Sequence, residues 1–275
     1  MQPRRGLNRC SRAAYDLGVD LDTAAGARER FDARVDALAA QGARLATVAS
    51  EAGLEAAVPT CPGWTVRDVL AHVGGVHRWA AAHVAGARSE PLSSEERRAA
   101  FHAPPDGSLL DWYAAGHTAL VAVLRDAGPE RPCWSFLPGP TGSAFWARRQ
   151  VHETAIHRAD VESATGTRTS IDGWLAADGI DELVRGFFSR PQSRLRADPA
   201  VTLAIRCVDV PGEWTVRAGP DASSGSLGAS AADCIVTALA NDCYELLWNR
   251  RDAAGLAVDG DATVLDTWRS LARVD

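Results

Sequence analysis

Long segments with apolar residues at helical spacing, punctuated by proline and glycine, commit most of this chain to a helical bundle. From Ala25 to Ala52, Phe31, Val35, Leu38, Leu45 and Val48 recur along one face, with arginines and acids between them. The stretch VPTCPGW follows, where Pro59 and Pro62 stop any helix and Gly63 allows a tight turn. Thr65, with Asp68 three residues on, resembles a capping box and opens a second helix through VRDVLAHVGGVHRWAAAHV. A third helix is expected from Leu109 to Ala127, stopped by Gly128 and Pro129, and a fourth from Ser143 to Ala164, stopped by Gly166. Between the second and third, Pro91 to Trp112 reads as an acidic loop.

A further helical stretch covers Asp172 to Phe188, and the texture then changes across the polar, proline-bearing segment Arg190 to Pro199. AVTLAIRCVDV and EWTVRAG alternate as strands do, and SGSLGAS adds a short third one. A helix from Ala231 to Asn249, a strand near GLAVDGD and a last helix from Thr263 complete the pattern. The expected fold class is α+β. It has an N-terminal extension over residues 1–24, a four-helix bundle over 25–194 and a smaller α+β domain over 195–275.

Composition removes several chemistries. The chain has no lysine, so all 29 of its basic side chains are arginines, and Schiff-base or phosphate-binding lysines are excluded. A net charge of −6 argues against nucleic acid or an anionic membrane as partner. The six cysteines form no CxxC pair, as expected of reduced thiols in a cytoplasm. No apolar run of membrane-spanning length occurs, and no secretory signal is expected at the start.

On the fourth helix Glu153 and His157 are four residues apart, which puts a carboxylate and an imidazole on one face within reach of one ion. His152 lies about 140° round from His157 and does not share that ion easily. The string HETAIH therefore differs from the HExxH of zinc proteases, and the glutamate takes the ligand position. A third ligand has to come from another helix, and His72 on the second is the best-placed candidate. Such a His2Glu set leaves coordination positions open, the mark of a catalytic site. The same spacing is more often a surface contact worth a few tenths of a kcal/mol. Spacing alone leaves both readings standing. His77, His83, His102 and His117 read as surface or core-edge residues.

Two motifs go further. VPTCPGWTVRDVLAHVGGVHRW, from Val58 to Trp79, with RRQVHETAIHRAD, from Arg148 to Asp160, resembles the mycothiol-dependent maleylpyruvate isomerase family of DinB-like metalloenzymes. The C-terminal third, including LLWNRR and VDGDATVLDTW, is similar to the sterol-carrier-like domain that follows the bundle in that family. The resemblance implies that His72, Glu153 and His157 bind a divalent metal, zinc first, with nickel, iron or manganese as alternatives. It also implies that mycothiol, a low-molecular-weight thiol, is the second cofactor. The partner molecule is then an electrophilic small molecule, and the reaction a cis-trans isomerisation or an S-transfer.

Arg250, in the WNRR segment, is the candidate catalytic residue for binding a substrate carboxylate, since only arginines are available for that work. A solvated charge at a helix end is the competing reading. Cys61 reads as a buried structural cysteine with no histidine predictably beside it. Asp160 is a candidate to orient a ligand or a neighbouring arginine. Trp64, Trp79 and Trp146 line a pocket or, more commonly for large aromatics, the core. Two other functional classes fit the residues: a metalloenzyme of the same fold that uses no thiol, and a metal-free protein that binds an apolar ligand.

Overall fold

The computed structural model describes residues 24–228 and 230–274. The extension expected over residues 1–24 therefore lies outside the described residues, but for the backbone of Ala24. Four long helices form where the periodicity places them: α1 (Ala24–Ala52), α2 (Val66–Ala85), α4 (Leu109–Ala127) and α5 (Gly142–Thr165). A short α3 (Ser94–Ala100) and a 3₁₀ turn (Asp106–Ser108) precede α4, and α6 (Gly173–Asp181) runs on into a π-helical turn (Glu182–Phe187).

The segment expected as a loop from Pro91 to Trp112 is thus partly helical. Ser93 starts α3 with a reciprocal cap: its hydroxyl accepts from the Glu96 amide, and its own amide donates to the Glu96 carboxylate at 2.8 Å. The segment docks on α2 because Gly74 and Gly75 leave room for it. A Cβ on Gly74 would lie 2.2 Å from the Trp112 ring, and one on Gly75 would lie 2.5 Å from Phe101. The Arg78 guanidinium covers the other side of Trp112, 3.7 Å from the ring centre.

The strands β1 (Val201–Cys207), β2 (Glu213–Ala218), β3 (Ser223–Leu227), β4 (Cys234–Ala238) and β5 (Ala257–Gly260) form one sheet in the order β3-β2-β1-β4-β5. All neighbours are antiparallel except β1 and β4, which pair in parallel from Leu203↔Cys234 to Cys207↔Ala238. The helix expected from Ala231 to Asn249 is corrected here: Cys234–Ala238 is a strand, and only Ala240–Leu247 is helical (α7). CIVTA is β-branched and alternates in burial, and β1 and β5 supply its ladder partners on both sides. The last helix, α8, spans Thr263–Leu271.

The main apolar core runs from Phe31 and Leu38 on α1 through Trp146 and Ile156 on α5 to Leu203, Val216 and Val236 in the sheet. It continues across the stretch between Phe187 and Val201 where helices give way to strands. A second cluster, with Val69, Leu70 and Val73 of α2 against Leu45 and Val161, closes the other end of the bundle. Each such fully buried large side chain contributes about 1.5–3 kcal/mol.

Helix α5 is buried on nearly all faces, yet it carries Arg148, Arg149, Gln150, His152 and Arg158. Burial of charge is tolerated only with partners. Arg148 and His152 therefore converge on Asp178, and Arg158 reaches Glu162 and Gln41. The His152 bond, 2.9 Å from Nε2 to the carboxylate, turns that imidazole away from His157, as the helix angle predicts. Trp79 and Trp146 belong to the core, edge to face at 4.8 Å. No described helix is long and apolar enough to cross a membrane.

Candidate metal centre

The centre begins in the turn between α1 and α2. Gly63 takes φ +87°, the left-handed conformation that glycine adopts without strain, and the amide of Trp64 donates to Cys61 O at 2.9 Å. Thr65 then donates both its amide and its hydroxyl to Asp68, each at 2.8 Å, and fixes the start of α2. Two turns later α2 presents His72, and α5 presents Glu153 and His157 one turn apart.

These three side chains converge. His72 Nε2 lies 2.9 Å from Glu153 Oε1, and His157 Nε2 lies 3.4 Å from the same oxygen. Their donor atoms all fall within 4.8 Å of one another. Ligand bonds of about 2.0 Å at a tetrahedral angle place two donors roughly 3.3 Å apart, so the set fits one cation without movement of the backbone. The side chain of His72 is 34% exposed and that of His157 only 9%, so the group opens to solvent past α2. Trp64 walls it, stacked on His157 at 6.1 Å and 7° and edge-on to His72 at 5.3 Å.

Burial pushes the Glu153 carboxyl up, but hydrogen bonds from His157 and His72 and the charge of Arg149 outweigh it and hold the group well below its ordinary value. His157 is the converse. Burial pushes it down, and Asp160, Cys61 and Glu153 reverse that and raise it well above the ordinary histidine range. The pair is therefore a fixed anion facing an imidazole whose own protonated form is favoured by the anionic groups around it.

Behind the candidate ligands stands Asp160, buried completely. Its carboxylate accepts from His157 Nδ1 at 2.9 Å, Thr60 Oγ1 at 2.6 Å, Cys61 Sγ at 3.2 Å, and Arg250 Nε and Nη2 at 2.8 and 3.0 Å. Burial alone would raise this carboxyl; the His157 hydrogen bond and the Arg250 charge keep it ionised far below its usual range. Holding Nδ1–H of His157 leaves Nε2 to face the cation position, the arrangement ligating histidines commonly use. Asp160 thus orients both a candidate ligand and an arginine.

Arg250 reaches the centre from beyond α7, in the chain's C-terminal part. Its third nitrogen donates to Trp248 O at 3.0 Å, so every guanidinium nitrogen is engaged. Cys61 differs from the sequence expectation. It is half-buried, its sulfur donates to Asp160 at 3.2 Å beside His157, and Arg250 Nη2 stands 3.4 Å from it. Cys61, His157 and Asp160 also lie close enough together to hold an ion, but Arg250 already supplies the positive charge there.

His77 and His83 are fully buried rather than at the surface, and His117 nearly so, while His102 is exposed. Arg149, one of the arginines that flank the candidate ligands on this helix, donates to Glu153 Oε2 at 2.7 Å, a contact that its position four residues before Glu153 makes available. Glu182, paired with Arg149, had no such signal in the sequence.

The chain is similar to known proteins in both family and fold. Two crystal structures of mycothiol-dependent maleylpyruvate isomerase are similar, one of them a histidine-to-alanine variant. The variant has a TM-score of 0.59 at 13% identity and the other 0.57 at 14%, and each match covers 84% of this chain and 94% of the other. At that identity the likeness establishes the α+β fold. No curated protein matches the chain. A profile described as the mycothiol maleylpyruvate isomerase N-terminal domain matches residues 21–162, just over half of the sequence and the part that holds His72, Glu153 and His157. By that match the chain belongs to the mycothiol maleylpyruvate isomerase family.

Proposed function

We propose that the chain is a metal-dependent enzyme that uses mycothiol as the nucleophile on an electrophilic small molecule, as a cis-trans isomerase or an S-transferase. The observation that carries this reading is the convergence of His72 Nε2, Glu153 Oε1 and His157 Nε2 on one point with an open side. A divalent ion held there, zinc before nickel, iron or manganese, supplies Lewis acidity that favours the thiolate of a thiol whose free pKa is near 8.5. The chain's own residues do the rest. Glu153 and the two imidazoles bind, Asp160 keeps the His157 proton on Nδ1, and Trp64 covers one side against water.

Arg250 stands beside Cys61 and Asp160 at this centre, and it binds a substrate carboxylate by exchanging one of its two contacts with Asp160. The remaining contact with Asp160 keeps the guanidinium in place, and a lysine-free chain relies on such arginines to recognise carboxylates. Addition of the thiolate to a carbon conjugated with a carbonyl moves the electron pair onto the enolate and frees the former double bond to rotate. Expulsion of the thiolate regenerates the double bond and completes an isomerisation, whereas uptake of a proton from water with the sulfur retained completes an S-transfer.

The test is metal content together with thiol dependence. Purified protein is expected to carry one divalent ion per chain and to turn over maleylpyruvate, or to form a thioether, only when mycothiol is added. Full activity without thiol, or a protein that takes up no ion, overturns the reading.

A further inference from the structure

Glu153 has two oxygens, and only one of them faces His72 and His157. The other, Oε2, accepts a hydrogen bond of 2.7 Å from Arg149 Nη2. Arg149 is 3% exposed and is itself gripped: its Nη1 donates to Glu182 Oε2, and its guanidinium lies 5.1 Å from the Phe187 ring. Glu182 and Phe187 are the two ends of the π-helical turn, where the amide of Phe188 donates five residues back to Leu183 O at 2.9 Å. In an ordinary α-helix, residues five apart point about 140° away from each other. The wider turn brings both onto Arg149.

From this geometry we infer that Arg149, held by Glu182 and Phe187, is a positioning residue that restricts Glu153 to a single-oxygen ligand. The inference deepens the metal reading above and rests on it. Arg149 touches neither substrate nor cation position; it acts by occupying Oε2. Two consequences follow. The ion keeps a vacant position that a chelating carboxylate would take up, and part of the Glu153 charge is drawn toward the guanidinium, which leaves the ion the stronger Lewis acid. The carboxylate of Glu182 offsets the buried guanidinium, so the cation position does not face an uncompensated positive charge.

Cobalt substitution tests this in the full-length protein, because the d–d bands of cobalt(II) weaken as its coordination number rises. In the parent protein, cobalt is expected to give intense four-coordinate bands. Arg149→Met frees Oε2 to swing onto the ion, so the bands should weaken, and chelator competition should show affinity changed by about 10–100-fold. Arg149→Lys, with one point donor, should restore part of the intensity. Glu182→Gln, which keeps the guanidinium and loosens its anchor, should shift the bands the same way by less. If Arg149→Met does not fold, the Lys and Gln variants decide.

Bands and affinity unchanged from the parent in the folded variants overturn the positioning role and leave the metal reading intact. A parent protein that takes up no cobalt overturns both.

Discussion

Helices α2 and α5 build two polar clusters side by side, and only one of them is a candidate for chemistry. In the first, His72 meets Glu153 and His157. In the second, five residues further along α2, His77 Nε2 bonds to Thr154 Oγ1 at 2.9 Å and its ring lies 5.2 Å from that of His117. Both clusters have two histidines. The second has a hydroxyl where the first has a carboxylate, and it is sealed, with no exposure at His77. Burial, joined by the neighbouring His117, keeps the His77 pKa well below its ordinary value, whereas anionic neighbours drive His157 the opposite way. Charge and access, rather than the number of imidazoles, separate a site for a cation from a piece of core.

The sharpest way to break this contrast is a pair of alanine variants. His157→Ala is expected to weaken metal binding by more than about 100-fold and to abolish turnover, with the helical circular-dichroism signal retained, since the loss of a ligand exceeds the loss of its supporting bonds. His77→Ala should keep the metal and lose about 1–3 kcal/mol of stability in urea unfolding. A metal-free but stable His77→Ala protein would reverse the assignment. A smaller effect is expected at Asp160, which supports the first cluster and has no counterpart in the second. Asp160→Asn should lower metal affinity by about 10–100-fold while leaving the three ligands in place, measured by chelator competition.

The smallest effect is in pH dependence. His77 stays neutral in the folded protein and protonates near pH 6.5 once unfolded, so below that pH the unfolded state binds the extra proton. Stability should therefore fall as pH drops from 6.5 toward 5, with His77 contributing up to about 1.4 kcal/mol per pH unit until its own folded pKa is reached. His77→Gln should flatten the slope by one proton's worth in urea unfolding followed across that range. An unchanged slope would mean that His77 is not sealed as described.

What the sequence made legible follows the range of the interactions. The long helices were readable because Phe31, Val35 and Leu38 repeat within one element. The Glu153–His157 pair was readable because four residues make one turn, and His72 was the best-placed third candidate on another helix, a set that the family resemblance then implied as well. Strand β4 was missed because CIVTALANDCYELLW is one apolar run, in which strand and buried helix have the same local texture until β1 and β5 supply ladders. Contacts such as Thr60–Asp160, Arg149–Glu182 and Arg250–Asp160 join residues 33 to 100 positions apart, and no periodicity announces them.

The Asp160–Arg250 ion pair also has a consequence for synthesis. Ribosomes release α5 well before residue 250, so a nascent bundle already owns a carboxylate meant for its interior while the matching guanidinium has yet to be made. Until translation nears its end that acid has only the Thr60, Cys61 and His157 donors of the bundle and lacks its guanidinium partner. Completion of the polypeptide, rather than the helices alone, then supplies the charge that balances the acid behind the histidine.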